Sequence, residues 1–174
     1  NCSATVIKNI AAHFTSERLA HYPNVDGVAA FAQTSGCGMS SPSEHFDVLR
    51  RTLAGYARHP NLAGVLIVGL GCERNQVSAL VESQQLAPGA QLRTLVMQEI
   101  GGTRATIAAG IQAVEEMLRY ESPSQHTARL APEDRELGGK RIPKRQAVIA
   151  VMAAANRDPE RFPDPDRFDI TRQD

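Results

Sequence analysis

The sequence predicts an α/β protein in which a short parallel sheet with flanking helices is followed by an irregular α+β tail. Apolar runs of five to seven residues alternate with helical segments of ten or more over the first 120 residues. This alternation is typical of a parallel sheet with right-handed helical crossovers. The composition then changes, since 18 of residues 1–120 are charged against 20 of the 54 residues that follow, which also hold six of the ten prolines. We therefore divide the chain into two segments, 1–118 and 119–174.

The composition argues against several classes of protein. Of the 174 residues, 42% are hydrophobic and 22% are charged, which is typical of soluble globular domains and not of disordered chains. The 19 basic and 19 acidic residues cancel, so the positive charge expected of a nucleic-acid binder is missing. No apolar run approaches the roughly 18 residues of a membrane span, and nothing resembles a secretory signal. Three cysteines, an odd number, favour a reducing compartment, so we expect a cytoplasmic protein.

Apolar spacing predicts the first elements of the chain. Residues 3–20 place most of their apolar side chains near one helical face. Turn-forming residues end that helix, and the short apolar run 28–32 is predicted to be a buried strand. Residues 44–58 carry Phe46, Leu49 and Leu53 at helical spacing, which predicts the next helix.

Two further strands are predicted in the rest of the first segment. Residues 64–70 form an unbroken apolar run rich in β-branched side chains, as expected of a parallel strand that is covered on both faces. A helix over about 76–86, a strand over 92–97 and a long helix over roughly 103–119 follow. The strands within residues 28–104 are therefore predicted to form a three-stranded parallel core.

The cysteines are predicted to lie at one edge of this sheet. Cys37 and Cys72 each follow a predicted strand, and Cys2 directly precedes a helix. Ligands of parallel sheets bind beyond the carboxyl ends of the strands, and nearby helix N-termini favour the thiolate form. Soft thiolates make iron a reasonable candidate metal, while the lack of Cys-x-x-Cys spacing disfavours structural zinc. Buried structural cysteines are the alternative, and His45 is the one histidine expected near this edge.

A second candidate group follows the third predicted strand. Gly101, Gly102, Thr103 and Arg104 open the long helix over 103–119. Unpaired backbone amides at the start of a helix, together with one guanidinium group, suit a carboxylate. We predict that these four residues bind the substrate.

Motifs throughout residues 1–118 resemble the altronate/galactarate dehydratase family. They are Asn-Cys-Ser-Ala-Thr at 1–5, Tyr-Pro-Asn-Val-Asp-Gly at 22–27, Gly-Cys-Gly-Met at 36–39, Arg-Thr-Leu-Ala-Gly-Tyr-Ala-Arg-His-Pro-Asn at 51–61, Gly-Leu-Gly-Cys-Glu at 69–73 and Gly-Gly-Thr-Arg at 101–104. The resemblance implies a hydro-lyase that removes water from a sugar acid, a hexarate or hexonate, generally with divalent iron. It also implies that Cys2, Cys37 and Cys72 are the family's cysteines, here taken as metal ligands, and that Arg104 belongs to its Gly-Gly-Thr-Arg motif.

Whether the chain is expected to be active depends on the chemistry that the resemblance implies and on where the sequence departs from the family. In such an enzyme the metal acts as a Lewis acid on the leaving hydroxyl, while a base removes the proton beside the carboxylate. Gln33 stands where family members commonly have a histidine, and glutamine cannot act as that base. The family also has a strand immediately upstream of the first motif and further domains on both sides. We therefore expect the chain as given to be inactive, with an exposed sheet edge through which it could form oligomers.

From about residue 113 the sequence resembles a bacterial cytochrome P-450, from the K helix to the meander. Glu116 and Arg119 match the Glu-x-x-Arg of the K helix. Arg129 stands where the family places an arginine on a haem propionate, and Arg167 matches the third member of the Glu-Arg-Arg cluster. No cysteine follows Cys72, so the axial thiolate is missing and haem binding is not expected.

These observations leave three hypotheses for the function. The leading hypothesis is a truncated sugar-acid hydro-lyase domain with a remnant metal or substrate site and a foreign tail. The alternatives are a haem-binding protein related to the monooxygenases and a chimeric product without activity. The expected partner is a small-molecule sugar acid, with no nucleic acid and no membrane. The charged, proline-rich residues 125–174 are expected to pack poorly on the first segment and to be lost first to proteases.

Overall fold

The computed structural model describes residues 2–22, 24–33, 38–121 and 125–172. The elements follow one another in chain order as α1 (Ser3–His13), a 3-10 helix (Arg18–His21), α2 (Glu44–Ala57), β1 (Val65–Gly69), α3 (Val77–Ser83), β2 (Leu92–Val96), α4 (Met97–Ile100), α5 (Thr103–Tyr120), β3 (Thr127–Leu130), β4 (Arg135–Leu137), β5 (Lys140–Ile142), β6 (Ala147–Ala150) and α6 (Met152–Ala155). The mixed α/β class predicted from the sequence, with a short parallel sheet and an irregular tail, is confirmed.

The core of the first segment is the parallel pair of β1 and β2, which are in register along their whole length. The side chains of β1 alternate between two apolar clusters, because successive residues of a strand point to opposite faces. Leu66 and Val68 pack against the cluster formed mainly by α1 and α5, and Val65 and Ile67 against that of α2 and α3. This two-sided burial explains why β1 is apolar throughout.

The strand predicted over residues 28–32 does not form, so the sheet has two strands and the predicted three-stranded core is wrong. Residues 25–33 have no regular secondary structure. They line one side of a cavity of about 300 Å³, and β1 lines another. A ladder requires a neighbouring strand at about 4.8 Å, and residues 28–32 pair with no strand in the described part of the chain.

Helices α1 and α5 pack side by side and run parallel. Ile10 of α1 lies against Gly110 of α5, where a Cβ atom would overlap the isoleucine side chain. Three residues further along α1, His13 Nε2 lies 3.6 Å from a carboxylate oxygen of Glu115. Because the contacts advance along both helices in the same order, α1 and α5 run in the same direction.

The direction of α5 fixes the direction of α1 relative to the sheet. α5 begins after β2 and α4, and near its other end Met117 packs against Gly64, which directly precedes β1. α5 therefore runs back from the carboxyl end of the sheet toward its amino end, and α1 also begins at the carboxyl end. In the described part of the chain, no helix is long and apolar enough to cross a membrane.

The strands of the second segment form two small antiparallel sheets with exposed apolar side chains. β3 pairs with β6, and β4 pairs with β5. Leu130, Leu137 and Ile149 are 69%, 68% and 61% exposed. These strands therefore bury little apolar surface, as expected from their composition.

Residues 156–172 pack against the end of α5. The buried guanidinium of Arg119 donates hydrogen bonds to the carbonyl oxygens of Asn156 (2.8 Å), Pro165 (2.9 Å) and Arg167 (3.1 Å). Phe168 meets Tyr120 edge to face, with ring centroids 5.6 Å apart. Residues 156–172 therefore make specific contacts with the end of α5, although none of them is buried. The expected early loss of residues 125–174 to proteases stays a prediction.

Candidate functional site

Three parts of the first segment meet at the carboxyl end of the β1–β2 sheet. The β1–α3 loop carries Cys72, the connection from β2 to α5 carries residues 101–104, and α1 begins there directly after Cys2. We call this region the carboxyl edge and define it by residues 2–3, 70–76 and 98–104. Ligands of parallel α/β sheets bind at this end of the strands.

A buried carboxylate holds the β1–α3 loop. Glu73 is 7% exposed, and it accepts hydrogen bonds from the backbone N–H groups of Leu70 (3.0 Å) and Gly71 (2.6 Å). The amide of Gln76 donates to the carbonyl oxygens of Gly71 (3.0 Å) and Glu73 (3.1 Å). These bonds fix the backbone on both sides of Cys72, whose side chain is exposed. Glu73 directly follows Cys72 in the Gly-Leu-Gly-Cys-Glu motif, but the motif alone does not predict its structural role.

A glycine turn leaves the first backbone amides of α5 available. Gly101 and Gly102 have φ angles of 105° and 95°, which residues with side chains rarely adopt. The carbonyl oxygen of Gly102 accepts hydrogen bonds from the N–H (3.0 Å) and the hydroxyl (2.8 Å) of Thr106. No described side chain caps the N-terminus of this 18-residue helix. The first N–H groups of α5 can therefore donate hydrogen bonds to a ligand, and the positive end of the helix dipole favours an anion at this place.

Thr103 and Arg104 are exposed in the first turn of α5. The guanidinium of Arg104 makes neither a hydrogen bond nor an ion pair with any residue that the structure describes. A guanidinium can bind a carboxylate through two parallel hydrogen bonds. The four residues predicted to bind substrate thus form one continuous surface at the carboxyl edge.

The metal site predicted at Cys2, Cys37 and Cys72 is only partly covered by the structure. Cys2 and Cys72 are exposed, free thiols at the carboxyl edge. Cys37 lies outside the described residues. Within the described ranges, no three His, Cys, Asp or Glu side chains come together in a way that could hold a metal ion. The described donors do not by themselves fit a complete iron site.

Two further polar residues from the sequence analysis lie in α2 and beside β1. His45, the histidine expected near the carboxyl edge, is exposed in the first turn of α2. Gln33 is half-buried and lines the cavity beside β1.

The predicted Glu-x-x-Arg pair is buried in the last turns of α5. Arg119 donates two hydrogen bonds to the carboxylate of Glu116, at 2.6 and 2.7 Å, and the two side chains are 8% and 5% exposed. Arg167 contributes its carbonyl oxygen to this cluster, while its side chain is 70% exposed and lies 3.9 Å from Asp169. The guanidinium of Arg172 lies 3.4 Å from Glu116. Arg172 was not predicted because it is remote in sequence and carries no motif.

Arg129, predicted to stand at a haem propionate, lies on the exposed strand β3. Its guanidinium is 3.3 Å from the hydroxyl of Thr127 and 3.2 Å from the carbonyl oxygen of Ala128. These contacts are local to the strand, so the structure does not join Arg129 to the Glu116–Arg119 cluster.

Residues 111–173 match the family described as cytochrome P450. The 6-deoxyerythronolide B hydroxylase of Saccharopolyspora erythraea is 55% identical over 60 residues, which are 34% of this chain and 15% of that protein. The biotin biosynthesis cytochrome P450 of Bacillus subtilis is 57% identical over 60 residues, again 34% of this chain and 15% of that protein. Cytochrome P450 107B1 of Saccharopolyspora erythraea is 37% identical over 122 residues, 70% of this chain and 24% of that protein.

One solved structure matches a similar share of the present chain. In the crystal structure of P450BioI with a hexadec-9Z-enoic acid ligated acyl carrier protein, the matching chain is 55% identical. The match covers 36% of this chain and 16% of that chain, with a TM-score of 0.35. The present chain thus spans well under half the length of each of these relatives.

The first segment matches a different family. Residues 1–122 match the second domain of D-galactarate dehydratase/altronate hydrolase. This range includes β1, β2, α5 and the whole carboxyl edge, and it meets the cytochrome P450 match within the last turns of α5. This match covers more than two thirds of the present chain, which therefore belongs to the D-galactarate dehydratase/altronate hydrolase family.

Proposed function

We propose that the first segment provides the substrate-carboxylate site of a sugar-acid hydro-lyase, which removes water from a hexarate or hexonate. The family match over residues 1–122 supports a dehydratase-type region. The observation that carries the proposal is the turn at Gly101 and Gly102, which leaves the first amides of α5 and the Arg104 guanidinium available together.

The chemistry of these groups suits the end of a sugar acid that must be held during dehydration. The helix amides and the guanidinium bind a carboxylate, and the hydroxyl of Thr103 can donate to or accept from a sugar hydroxyl. When the proton beside a carboxylate is removed, negative charge develops on the carboxylate oxygens. Donors that already point at those oxygens lower the energy of that transition state. Arg104 and the turn would therefore both bind and activate the substrate.

Divalent iron is the cofactor that the family resemblance implies. The described donors, the exposed thiols of Cys2 and Cys72, do not complete a metal site. The proposal is therefore confined to carboxylate binding at residues 101–104, and its test measures binding of the substrate by the full chain.

Isothermal titration calorimetry with galactarate and with altronate tests the proposal. Loss of a charge-assisted hydrogen-bond donor costs about 1.5–3 kcal/mol, so Arg104→Gln should weaken binding by about tenfold to a hundredfold. Arg135→Gln is the matched control, because Arg135 is an exposed arginine on β4 that pairs with Glu133. Equal affinity for wild type and Arg104→Gln, or equal losses in both variants, would contradict the proposal.

Haem binding is the second candidate function, since residues 111–173 match cytochrome P450. These residues contain the buried Glu116–Arg119 pair but no cysteine, so they offer no thiolate ligand. We expect haem titration of the chain to produce no Soret band of a thiolate-ligated haem. Such a band would favour the haem-binding hypothesis.

A further inference from the structure

The peptide group between Leu70 and Gly71 connects two loops of the carboxyl edge. Its N–H, which belongs to Gly71, donates to Glu73 Oε2 at 2.6 Å. Its carbonyl oxygen, which belongs to Leu70, accepts from the backbone N–H of Gln98 at 3.1 Å. Because the N–H and the C=O of a trans peptide lie in one rigid plane and point in opposite directions, the carboxylate that holds the N–H also sets where the carbonyl oxygen points.

The next peptide group along this path lies at the start of α4 and leads to the glycine turn. The N–H of Gln98 and the carbonyl oxygen of Met97 belong to the same peptide group. That carbonyl oxygen accepts from the N–H groups of Gly101 (3.2 Å) and Gly102 (2.8 Å). α4 has four residues, which is too short for a helix to be stable by itself. Two successive peptide groups thus join the Glu73 carboxylate to the turn that begins α5.

The Glu73 carboxylate is directed at the backbone. One of its oxygens accepts from the N–H of Leu70 and the other from that of Gly71. The side chain is 7% exposed, and a Cβ atom at Gly69 would overlap Oε1, so the last residue of β1 leaves just enough room for it. A buried carboxylate whose two oxygens both accept from backbone amides is suited to hold a loop.

We propose that Glu73 is a positioning residue for the substrate carboxylate and acts on the glycine turn through these two peptide groups. The inference rests on the proposed function, in which residues 101–104 bind that carboxylate. The negative charge of Glu73 polarises the two peptide groups in succession, and hydrogen bonds in such a chain strengthen one another. The bonds to the N–H groups of Gly101 and Gly102 are strengthened in this way, which keeps the turn in the conformation that leaves the first amides of α5 available.

The test substitutes Glu73→Gln in the full chain. This change keeps the shape of the side chain but removes its charge, and the amide group offers one acceptor oxygen in place of two. Calorimetric titration should show galactarate binding weakened by about tenfold, as expected for the loss of one charge-assisted hydrogen bond. Without any ligand, hydrogen exchange of three amides should speed up by about tenfold relative to that of Val65 in β1. These turn amides are those of Gln98, Gly101 and Gly102.

Glu116→Gln is the matched control, because Glu116 is also a buried carboxylate but lies near the other end of α5. Its loss should destabilise the fold without speeding exchange of the turn amides relative to Val65 and without weakening galactarate binding. A second measurement needs no substitution and applies even if Glu73→Gln does not fold. In the unaltered chain, NMR should detect scalar coupling across the hydrogen bond from the nitrogen of Gln98 to the carbonyl carbon of Leu70.

Three results would overturn the positioning role of Glu73. One is the absence of coupling between Gln98 and Leu70 in the unaltered chain. Another is galactarate binding by Glu73→Gln that is as tight as that of the wild type. The third is the same acceleration of exchange at the turn amides in Glu116→Gln. If the wild type itself binds no galactarate, the carboxylate proposal fails, whereas exchange and coupling are measured without any sugar acid and still decide whether Glu73 holds the turn.

Discussion

Two buried carboxylates illustrate how single residues hold this chain together. Glu73 is satisfied locally by the backbone N–H groups of Leu70 and Gly71 in its own loop. Glu116 is satisfied by Arg119 one turn away and also accepts a hydrogen bond from the backbone N–H of Asp169, at 2.7 Å. The first carboxylate shapes a loop of the carboxyl edge, and the second connects the end of the chain to α5.

Breaking the Glu116–Arg119 pair should be costly. Glu116→Gln leaves a buried guanidinium without its counter-charge, and we expect a loss of about 3 kcal/mol or more in the free energy of unfolding. Chemical denaturation followed by circular dichroism measures the change. The matched control is Glu133→Gln, which removes the exposed partner of Arg135 and should cost less than about 1 kcal/mol. Equal losses of unfolding free energy in the two variants would show that the buried pair stabilises the fold no more than the exposed pair does.

The carboxyl group of Asp169 should make the end of the tail sensitive to acid. Hydrogen bonds from the hydroxyl (2.6 Å) and the N–H (2.9 Å) of Thr171 lower the pKa of Asp169. A lowered folded-state pKa contributes stability above the unfolded value of about 3.9 and loses it as the pH falls through the folded value. NMR titration should show that Thr171→Val raises the pKa of Asp169 toward its usual value. An unchanged pKa in that variant would rule out the hydroxyl as the cause.

At the scale of elements, local patterns predicted the helices well. The start of α2 was predicted at residue 44, and the structure shows why: the hydroxyl of Ser43 caps the helix by accepting a hydrogen bond from the N–H of Phe46, at 3.3 Å. The strand predicted at 28–32 failed because a strand depends on a partner as well as on its own residues. The run is apolar, but Ala29, Phe31 and Ala32 are exposed, and no strand in the described part of the chain pairs with it.

Close packing of α1 on α5 explains a glycine in the middle of a helix. A Cβ at Gly110 would overlap Ile10 and lie 3.5 Å from Leu66. Gly110→Ala should therefore destabilise the protein by about 1–3 kcal/mol, and Ile10→Val in the same chain should recover part of the loss. Thermal denaturation measures both changes.

Gly55 is the control for this substitution. It lies inside α2, where an added Cβ would meet no atom within 4 Å. Gly55→Ala should leave stability unchanged or raise it by about 0.5–1 kcal/mol. A loss at Gly55 equal to that at Gly110 would mean that the helix contact is not the reason.

At the scale of the whole molecule, the two segments are joined through α5. The two family resemblances found in the sequence overlap within this helix, and both are confirmed by the family matches. It could not predict how residues 156–172 dock, because the carbonyl oxygens that accept from Arg119 lie 37 to 48 residues away. The Glu-x-x-Arg pattern predicts that the arginine pairs with the glutamate on the same helix, but it does not predict the distant carbonyl oxygens that also accept from this arginine.

Limited proteolysis should follow this division. We expect the first cuts within residues 125–150, where the apolar side chains of the strands are exposed. Residues 156–172 should stay bound to α5 after those cuts, held by Arg119 and Phe168. Mass spectrometry of the digest, with size-exclusion chromatography under native conditions, identifies the fragments that remain together. Release of residues 156–172 with the first cut would contradict the docking.

A titration of the backbone amide NMR signals with galactarate shows whether the start of α5 binds the carboxylate of a sugar acid. We predict that the largest chemical-shift changes occur at residues 101–106, with smaller changes in the β1–α3 loop at residues 70–76. The amides of β3 to β6 should not move. Saturable shifts centred on another part of the chain, or no shifts at millimolar galactarate, would contradict the assignment of this edge as the substrate site.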